Sequence, residues 1–294
     1  MVKDKKNFST ITLSCSVQDE RIISIANQCI EVLENIGVQV LVDSSLAILK
    51  KEGFPISTTK QILKDSDLLI AIGGDGTMLN CSRKYGSEGV PILGINLGNL
   101  GFLTDISPEL LTSSLLDVVR GEYIEDKRFF LEAKIKNKNK KLLALNEIVI
   151  HSGLIAQLIE YDLFIDDSFV YRQKADGLIV SSPTGSTAYS LSGGGPIIHP
   201  EVNAFILLPM FPQSLSSSSL IVHSESSIRV RILSMSKKTH ISLDSHENLL
   251  IEGSNEILIK IAKSNLLLIH PKDHDFFGSC RNKLGWSSTP LNLQ

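Results

Sequence analysis

An acidic residue lies inside a glycine turn, in the segment Gly73-Gly74-Asp75-Gly76-Thr77. The apolar run Leu68–Ile72 before the turn predicts a strand, and a helical stretch to about Tyr85 follows it. A helix N-terminus after a glycine turn presents free N–H groups and the positive end of the helix dipole, which suits phosphate. A carboxylate there repels phosphate unless it binds a metal or faces a hydroxyl that attacks phosphorus, so Asp75 indicates phosphoryl transfer. The alternative is a tight turn in which Asp75 only caps the helix.

Two further segments carry polar residues suited to a ligand. The loop Asn96–Thr104 follows the buried-type strand Pro91–Ile95, and its Asn and Gly residues suit close approach of a ligand. A structural turn with Phe102 in the core explains the same loop. Asn146-Glu147 precedes the strand Ile148–His151, and an Asn-Glu pair can hold vicinal ribose hydroxyls. An exposed turn is the alternative for this pair.

The segment of residues 175–196 is dense in hydroxyl and glycine residues, which can hydrogen-bond phosphates or sugars. Tyr189 within it could lie against a base or a sugar ring. We reject a flexible linker because Asp176–Val180 opens the segment with a buried-strand pattern. Residues 73–101 hold eight of the twenty glycines, and residues 177–195 hold five more. Two such segments in separate domains predict two walls of one cleft for an anionic ligand.

Several common nucleotide and hydrolase motifs are absent. No glycine is followed by lysine, which excludes a Walker A loop, and no GxGxxG occurs because residue 79 is leucine. Neither HExxH nor GxSxG is present.

The first third of the chain alternates strands and helices, which implies a parallel sheet. Asp19 is expected to cap the first helix and Gly37 to end it, while Ser107-Pro108 starts a later helix that Gly121 stops. The apolar positions of the first helix recur at helical spacing: Ile22, Ala26, Cys29, Leu33 and Ile36. The predicted strands are Ser9–Val17, Val38–Val42, Leu68–Ile72 and Pro91–Ile95.

Strand patterns dominate beyond residue 125. A hairpin is predicted from Phe129–Lys136 and Lys141–His151 around the polar turn Asn137–Lys140, which we interpret as a solvated tip. Further predicted strands are Ile159–Val170, Gly177–Ser182, Ile228–Leu233, His240–Asp244, Glu256–Ile261 and Leu266–Ile269. We expect an α/β domain with a parallel sheet at residues 1–125 and an all-β domain at residues 126–270. A tail at residues 271–294 is expected to pack on the first domain through Phe276, Phe277 and Trp286.

The composition is that of a globular protein, with 43% apolar and 21% charged residues in 294. The net charge of −3 disfavours a protein that binds nucleic acid, which usually carries a basic surplus. Four cysteines without CxxC spacing predict reduced thiols in the cytoplasm. No stretch approaches the ~20 apolar residues of a membrane span, and no signal-peptide pattern begins the chain, so we expect no membrane partner.

Taken together, these segments resemble the NAD kinase family, and bacterial members in particular. The shared motifs are the GGDGT loop at 73–77, Asn-x-Gly-x-Leu-Gly-Phe-Leu from Asn96, the Asn-Glu pair at 146–147, and Asp-Gly-Leu-Ile…Thr-Gly-Ser-Thr-Ala-Tyr…Gly-Gly-Pro from Asp176. The GGDG loop is also found in phosphofructokinases and lipid kinases, whereas the last stretch is specific. The resemblance runs from about residue 65 to the C-terminus. The chain departs from it with Ser-Cys-Ser at 14–16 and with Asn80-Cys81-Ser82.

The resemblance implies ATP-dependent phosphorylation of NAD on the adenosine ribose 2′-hydroxyl, which gives NADP. It implies that Asp75 is the proton acceptor, that Gly76 lies against the ligand, and that Asp176 reaches the nicotinamide end. The other implied nucleotide-binding residues are Gly73, Gly74, Thr77, Asn96, Asn146, Glu147, Gln157, Lys174, Thr187, Ala188, Tyr189, Ser190, Leu191, Ser192 and His246. Mg²⁺ is expected to bridge the ATP phosphates, held largely by ATP and water. A dimer or tetramer is expected.

Three other functions would need sequence features that differ from those of this chain. A lipid kinase needs a membrane-facing basic or amphipathic surface, and the chain shows no clear one. A phosphofructokinase should carry Pro-x-Thr-x-Asp-Asn-Asp, which is absent. A non-catalytic nucleotide sensor would be favoured if Asp75 were lost, and it is present. The sequence leaves open ATP or polyphosphate as donor, and NAD or NADH as acceptor.

Overall fold

The computed structural model describes residues 8–16, 20–98, 101–136, 138, 140–153, 157–214, 216–233, 239–251 and 256–286. Asp19, the expected helix cap, lies outside these residues, as do Asn99, Leu100 and the chain beyond residue 286. The chain divides into two compact units. The first takes the chain up to Lys127 and again from Leu266, and the second is Arg128–Asn265.

The strands are numbered in chain order. They are β1 (Thr10–Cys15), β2 (Gln39–Asp43), β3 (Ile56–Ser57), β4 (Leu68–Ile72), β5 (Ile92–Ile95), β6 (Tyr123–Ile135), β7 (Leu142–Ala144), β8 (Glu147–His151), β9 (Ile159–Ile165), β10 (Ser168–Ala175), β11 (Gly177–Ser181), β12 (Ala204–Met210), β13 (Leu220–His223), β14 (Ile228–Ile232), β15 (Thr239–Leu243), β16 (Glu247–Ile251) and β17 (Glu256–Pro271). The helices are α1 (Glu20–Asn35), α2 (Thr59–Asp65), α3 (Asp75–Lys84), α4 (Leu111–Val119), α5 (Tyr189–Ser192) and α6 (Phe276–Leu284).

The first unit is built on a parallel sheet in the order β17-β5-β4-β1-β2-β3. Every residue of β4 and β5 is buried, as expected for parallel strands covered on both faces. Ile72 pairs with Ile95, so β4 and β5 end at the same edge of the sheet. The two loops that follow these strands, at Gly73 and Asn96, therefore start side by side.

Helix α1 buries the apolar positions that the spacing predicted, except for Ile36, which lies beyond the helix and is exposed. Gly37 follows with a φ of 78°, a left-handed conformation that glycine adopts without strain. The helix predicted to start at Ser107-Pro108 opens with a short 3₁₀ turn at Pro108–Leu110 before α4. Gly121 stops that segment at a φ of 86°.

The second unit consists of two antiparallel sheets. One has the order β10-β9-β14-β17, with β6 paired to both β17 and β7, and the other has the order β13-β12-β11-β8-β15-β16. Apolar side chains from both sheets form one core, as in a sandwich. The predicted fold class, an α/β unit with a parallel sheet followed by a β-rich unit, is confirmed.

Some predicted elements were wrong in detail. Ile159–Val170 is not one strand, because Asp166 and Asp167 take positive φ values of 48° and 65° and turn the chain between β9 and β10. Glu256–Ile261 and Leu266–Ile269 are parts of the single strand β17. The predicted hairpin partner Lys141–His151 divides into β7, which pairs with β6, and β8, which lies in the other sheet.

Three strands of the second unit were missed altogether, namely β12, β13 and β16. Two aromatic residues expected to be packed in the tail are exposed: Phe277 is 54% and Trp286 45% exposed. Burial in α6 is provided instead by Cys280.

Candidate active site

The glycine turn between β4 and α3 is shaped so that only glycine fits its first position. Gly73 has a φ of 149°, its N–H donates to the carbonyl of Ile95 at 2.8 Å, and a Cβ there would lie 2.3 Å from Thr77 Oγ1. Gly74 is the N-cap residue and supplies no side chain. Helix α3 therefore begins at Asp75 with its first N–H groups uncovered by a capping side chain, which leaves the positive end of the helix dipole available.

The carboxylate of Asp75 is fixed by the neighbouring loop. Its Oδ2 accepts the N–H of Phe102 at 3.1 Å, and its Oδ1 accepts the N–H of Leu103 at 3.0 Å. A Cβ on Gly101 would lie 2.0 Å from Asp75 Oδ1, so this loop can approach the carboxylate only with glycine at that position. About a third of the Asp75 side chain, 34%, remains exposed. The carboxylate is thus both oriented and accessible.

A lysine from α6 completes the surroundings of this carboxylate. Lys283 Nζ lies 3.4 Å from Asp75 Oδ2 and 4.7 Å from the centre of the Phe102 ring. Its side chain is 28% exposed.

The side chain of Asn96 forms hydrogen bonds within its own loop. Its amide nitrogen donates to Thr104 Oγ1 at 2.9 Å, and its Oδ1 accepts the N–H of Gly98 at 2.9 Å. Thr104 Oγ1 also accepts the N–H of Gly101 at 3.0 Å. Asn96 therefore shapes the loop that holds Asp75.

A histidine–aspartate cluster lies next in this loop. Asp105 is hydrogen-bonded to His270 and, at 2.8 Å, to His274 Nδ1, and His270 Nε2 lies 3.3 Å from Asp126 Oδ2. Burial alone would lower the pKa of His270, but the two carboxylates outweigh it and raise the pKa to about 9. The ligand atoms of Asp105, His270 and His274 lie within 4.8 Å of one another. Because both histidines already bind the Asp105 carboxylate, we interpret this cluster as an anchor for the chain that leads into α6.

In the second unit, the Asn-Glu pair lies at the start of β8 and is buried. Asn146 Oδ1 and Glu147 Oε2 are buried atoms without a hydrogen-bond partner. The carboxylate of Asp244 accepts three backbone N–H groups, from Leu145 at 3.0 Å, Asn146 at 2.8 Å and Glu147 at 3.2 Å. Burial, and then the charge of Asp244, raise the pKa of Glu147 to about 8. Buried unpartnered polar atoms are costly, and a ligand with hydroxyl groups would satisfy them.

Two cavities flank Tyr189 in the same unit, with volumes of about 570 and 540 Å³. Met210 and Phe211 line both of them, and Phe211 is 79% exposed with a φ of 43°. Ser192 lines the larger cavity and Asp176 the smaller one. The structure thus brings Asp176 and Tyr189 to one cavity. Ser190 is buried, and its Oγ has no hydrogen-bond partner.

Two protein-family models match this chain. Residues 10–123 match the family model of the ATP-NAD kinase N-terminal domain, and residues 145–270 match that of the ATP-NAD kinase C-terminal domain. The chain belongs to the NAD kinase family.

Curated relatives and solved structures extend the match over nearly the whole chain. The NAD kinase of Salmonella enteritidis PT4 is 43% identical over 255 residues, covering 85% of this chain and 87% of the relative. That of Teredinibacter turnerae is 40% identical over 288 residues, covering 96% and 98%. Yeast NADH kinase complexed with NADH superposes with a TM-score of 0.87 at 27% identity, covering 98% of this chain and 91% of that one. An NAD kinase from Archaeoglobus fulgidus in complex with ATP gives 0.74 at 25% identity, covering 93% and 99%.

Three of the binding residues expected from the NAD kinase family lie apart from the Tyr189 cavities. Lys174 lies 3.9 Å from Glu160 and lines a separate polar cavity of about 330 Å³. Gln157 is exposed just before β9. His246 lies in the turn between β15 and β16, where its N–H donates to the carbonyl of Leu243 at 2.9 Å. None of the three lines the two cavities among the described residues.

The remaining expected positions fall on the loops already described. Thr77 is buried in the first turn of α3, whereas Gly76, also in that turn, is more open. Thr187, Ala188 and Leu191 are half-buried around α5. Sequence reasoning missed Asp244 and Lys283, since neither stands in a motif. Within the described residues, no helix is long and apolar enough to cross a membrane.

Proposed function

We propose that Asp75 is the catalytic carboxylate of this NAD kinase, accepting the proton of the adenosine ribose 2′-hydroxyl as the γ-phosphoryl group of ATP is transferred to it. As a member of its family, the chain phosphorylates NAD with ATP to give NADP. The observation that carries the assignment to Asp75 is its carboxylate, oriented by two backbone N–H groups at an uncapped helix N-terminus and still open to a ligand.

The reaction needs alignment and charge neutralisation more than a strong base. The hydroxyl oxygen forms the new bond to phosphorus, its proton passes to Asp75, and the bond to ADP breaks. The free N–H groups at the start of α3 suit phosphate oxygens. A weakly basic carboxylate suffices if the proton leaves late, or if the main task of Asp75 is to orient the hydroxyl.

Mg²⁺ is proposed to reach this site with ATP. The one cluster of three or more ligating side chains among the described residues is Asp105, His270 and His274, and Asp75 is not part of it. Asp75 therefore fits a metal held mainly by phosphates and water, and not an ion enclosed by protein. Bound in that way, the ion would supply charge neutralisation on the phosphates.

The acceptor nucleotide is proposed to use the second unit. Asn146 Oδ1 and Glu147 Oε2 are aligned by the backbone contacts of Asp244 and have no partner of their own, which suits sugar hydroxyls. Asp176 is assigned to the nicotinamide end, and the 187–192 segment, with Tyr189, to the adenosine side. Gln157, Lys174 and His246 are also proposed to contact the nucleotide, outside the two cavities beside Tyr189.

A coupled assay tests the catalytic assignment. Purified protein with ATP, Mg²⁺ and NAD is expected to form NADP, and Asp75→Asn is expected to lower kcat by roughly 10²–10⁴-fold while NAD binding changes little. Glu88→Gln, an exposed carboxylate beyond the end of α3, is the matched control. Near wild-type turnover in Asp75→Asn would show that the residue is only part of the helix start.

We further propose a cytoplasmic homo-oligomer, either a dimer or a tetramer. All four cysteines are buried and form no disulfide, which suits a reducing compartment. Light scattering coupled to gel filtration would give the oligomeric state, and a monomer at micromolar concentration would contradict the proposal.

A further inference from the structure

Lys283 lies beside Asp75, the carboxylate proposed to face the hydroxyl that attacks phosphorus. Its Nζ lies 3.4 Å from Asp75 Oδ2, the oxygen that also accepts the N–H of Phe102. Any hydroxyl that gives its proton to Asp75 lies within hydrogen-bond distance of this carboxylate, and the γ-phosphorus lies one bond beyond that hydroxyl oxygen. The Lys283 ammonium is therefore within a side-chain rotation of the phosphoryl oxygens.

The backbone that carries Lys283 is anchored to the loop that orients Asp75. His270 and His274, just before α6, both bind the carboxylate of Asp105, two residues beyond the Leu103 N–H. Cys280 is buried on the inner side of α6. The helix end is thus fixed relative to Asp75, while four flexible methylene groups let the ammonium change partner.

The electrostatics of the reaction favour a further cation at this place. A γ-phosphoryl group beside an ionised carboxylate is repelled by it, and the negative charge spreads over the equatorial oxygens in the transition state. Donors fixed where charge develops contribute strongly to catalysis. The face of the Phe102 ring, 4.7 Å from Nζ, also attracts the ammonium and helps to hold it beside the carboxylate.

We propose that Lys283 is a further catalytic residue of this kinase, donating a hydrogen bond to the γ-phosphoryl group of ATP beside Asp75. The proposal rests on the proposed function of Asp75. Lys283 transfers no proton in this step: the hydroxyl proton passes to Asp75, the oxygen–phosphorus bond forms, and ADP leaves with the electron pair of the broken bond.

Steady-state kinetics of Lys283→Met, Lys283→Arg and Lys272→Met test the proposal. Lys272 precedes α6, is 59% exposed, and forms ion pairs with Asp117 and Glu122, so its variant controls for loss of a lysine from the same segment. We expect Lys283→Met to lower kcat by roughly 10²–10³-fold with little change in the NAD dissociation constant. Lys283→Arg should retain more activity, ethylammonium should partly restore Lys283→Met, and Lys272→Met should match the wild type.

Two results would overturn the proposal. One is a folded Lys283→Met enzyme whose kcat stays within about threefold of the wild type. The other is a Lys283→Met enzyme whose kcat equals that of the wild type at high pH, because a hydrogen-bond donor to the phosphoryl group is needed at every pH. The proposed function fails separately, if Asp75→Asn itself turns over normally.

Discussion

Replacement of Glu147 by glutamine is expected to change how the stability of the protein depends on pH. The side chain is 2% exposed, and burial and the charge of Asp244 raise its pKa from 4.5 to about 8. In the unfolded chain the same carboxyl titrates near its ordinary value, so between these pH values unfolding releases a proton. The contribution of Glu147 to the free energy of unfolding therefore falls as the pH rises from about 4.5 to 8.

The full shift corresponds to at most ~5 kcal/mol, at about 1.4 kcal/mol for each pKa unit. Water that enters around the carboxyl reduces this value, so we expect ~2–4 kcal/mol. Glu147→Gln keeps the shape of the side chain and does not titrate. Relative to the wild type, its free energy of unfolding should thus rise by ~2–4 kcal/mol between pH 5 and pH 8.5.

Urea unfolding followed by fluorescence at pH 5, 6, 7 and 8.5 measures this difference. Glu201→Gln, an exposed carboxylate before β12, serves as the control and should follow the wild type at every pH. A difference between Glu147→Gln and the wild type that stays constant over the whole range would refute the reasoning, since it would mean that Glu147 is already ionised in the folded protein.

Four other tests follow from the site. Gly101→Ala places a methyl group against the Asp75 carboxylate, and we expect the coupled assay to show a kcat that is at least tenfold lower. The effect on the melting temperature should be small. Asp105→Asn leaves the His270 cation, 1% exposed, without its main partner and should lower the free energy of unfolding by ~3–5 kcal/mol at pH 7, measured in urea. An NAD analogue without the adenosine 2′-hydroxyl should bind ~1–3 kcal/mol more weakly by calorimetry and never be phosphorylated, and Glu147→Gln should weaken binding of NAD more than of ATP. Turnover of that analogue, wild-type kcat in Gly101→Ala, or unchanged unfolding in Asp105→Asn would contradict the respective argument.

The glycine turn at Asp75 could be predicted from sequence because its geometry is local. Five consecutive residues determine the left-handed Gly73, the uncapped Gly74 and the helix start, and the apolar run before them identifies β4. The alternation of strands and helices in the first unit could also be predicted, since parallel strands that are buried on both faces form continuous apolar runs.

The partners of the site residues could not be predicted, because they come from distant parts of the chain. Lys283 is 208 residues from Asp75, and Asp244 is 97 residues from Glu147. Neither has a periodic or motif signal, and each acts through a contact that exists only in the folded chain. The β9–β10 turn was missed for another reason: Asp166 and Asp167 adopt positive φ values without a glycine to mark the turn.

The sheet of the first unit is completed by a strand from a distant part of the chain, which the ribosome makes long after β5. β5 pairs with β4 on one side and, on the other, with Leu268 and Ile269 of β17. At ~5–20 residues per second, the roughly 175 residues between these partners take ~10–35 s to translate. During that interval the nascent β5 has an open edge, on which other chains can pair. Because Lys283 follows β17 along the chain, the ribosome makes this partner of Asp75 only after the strand that closes the edge.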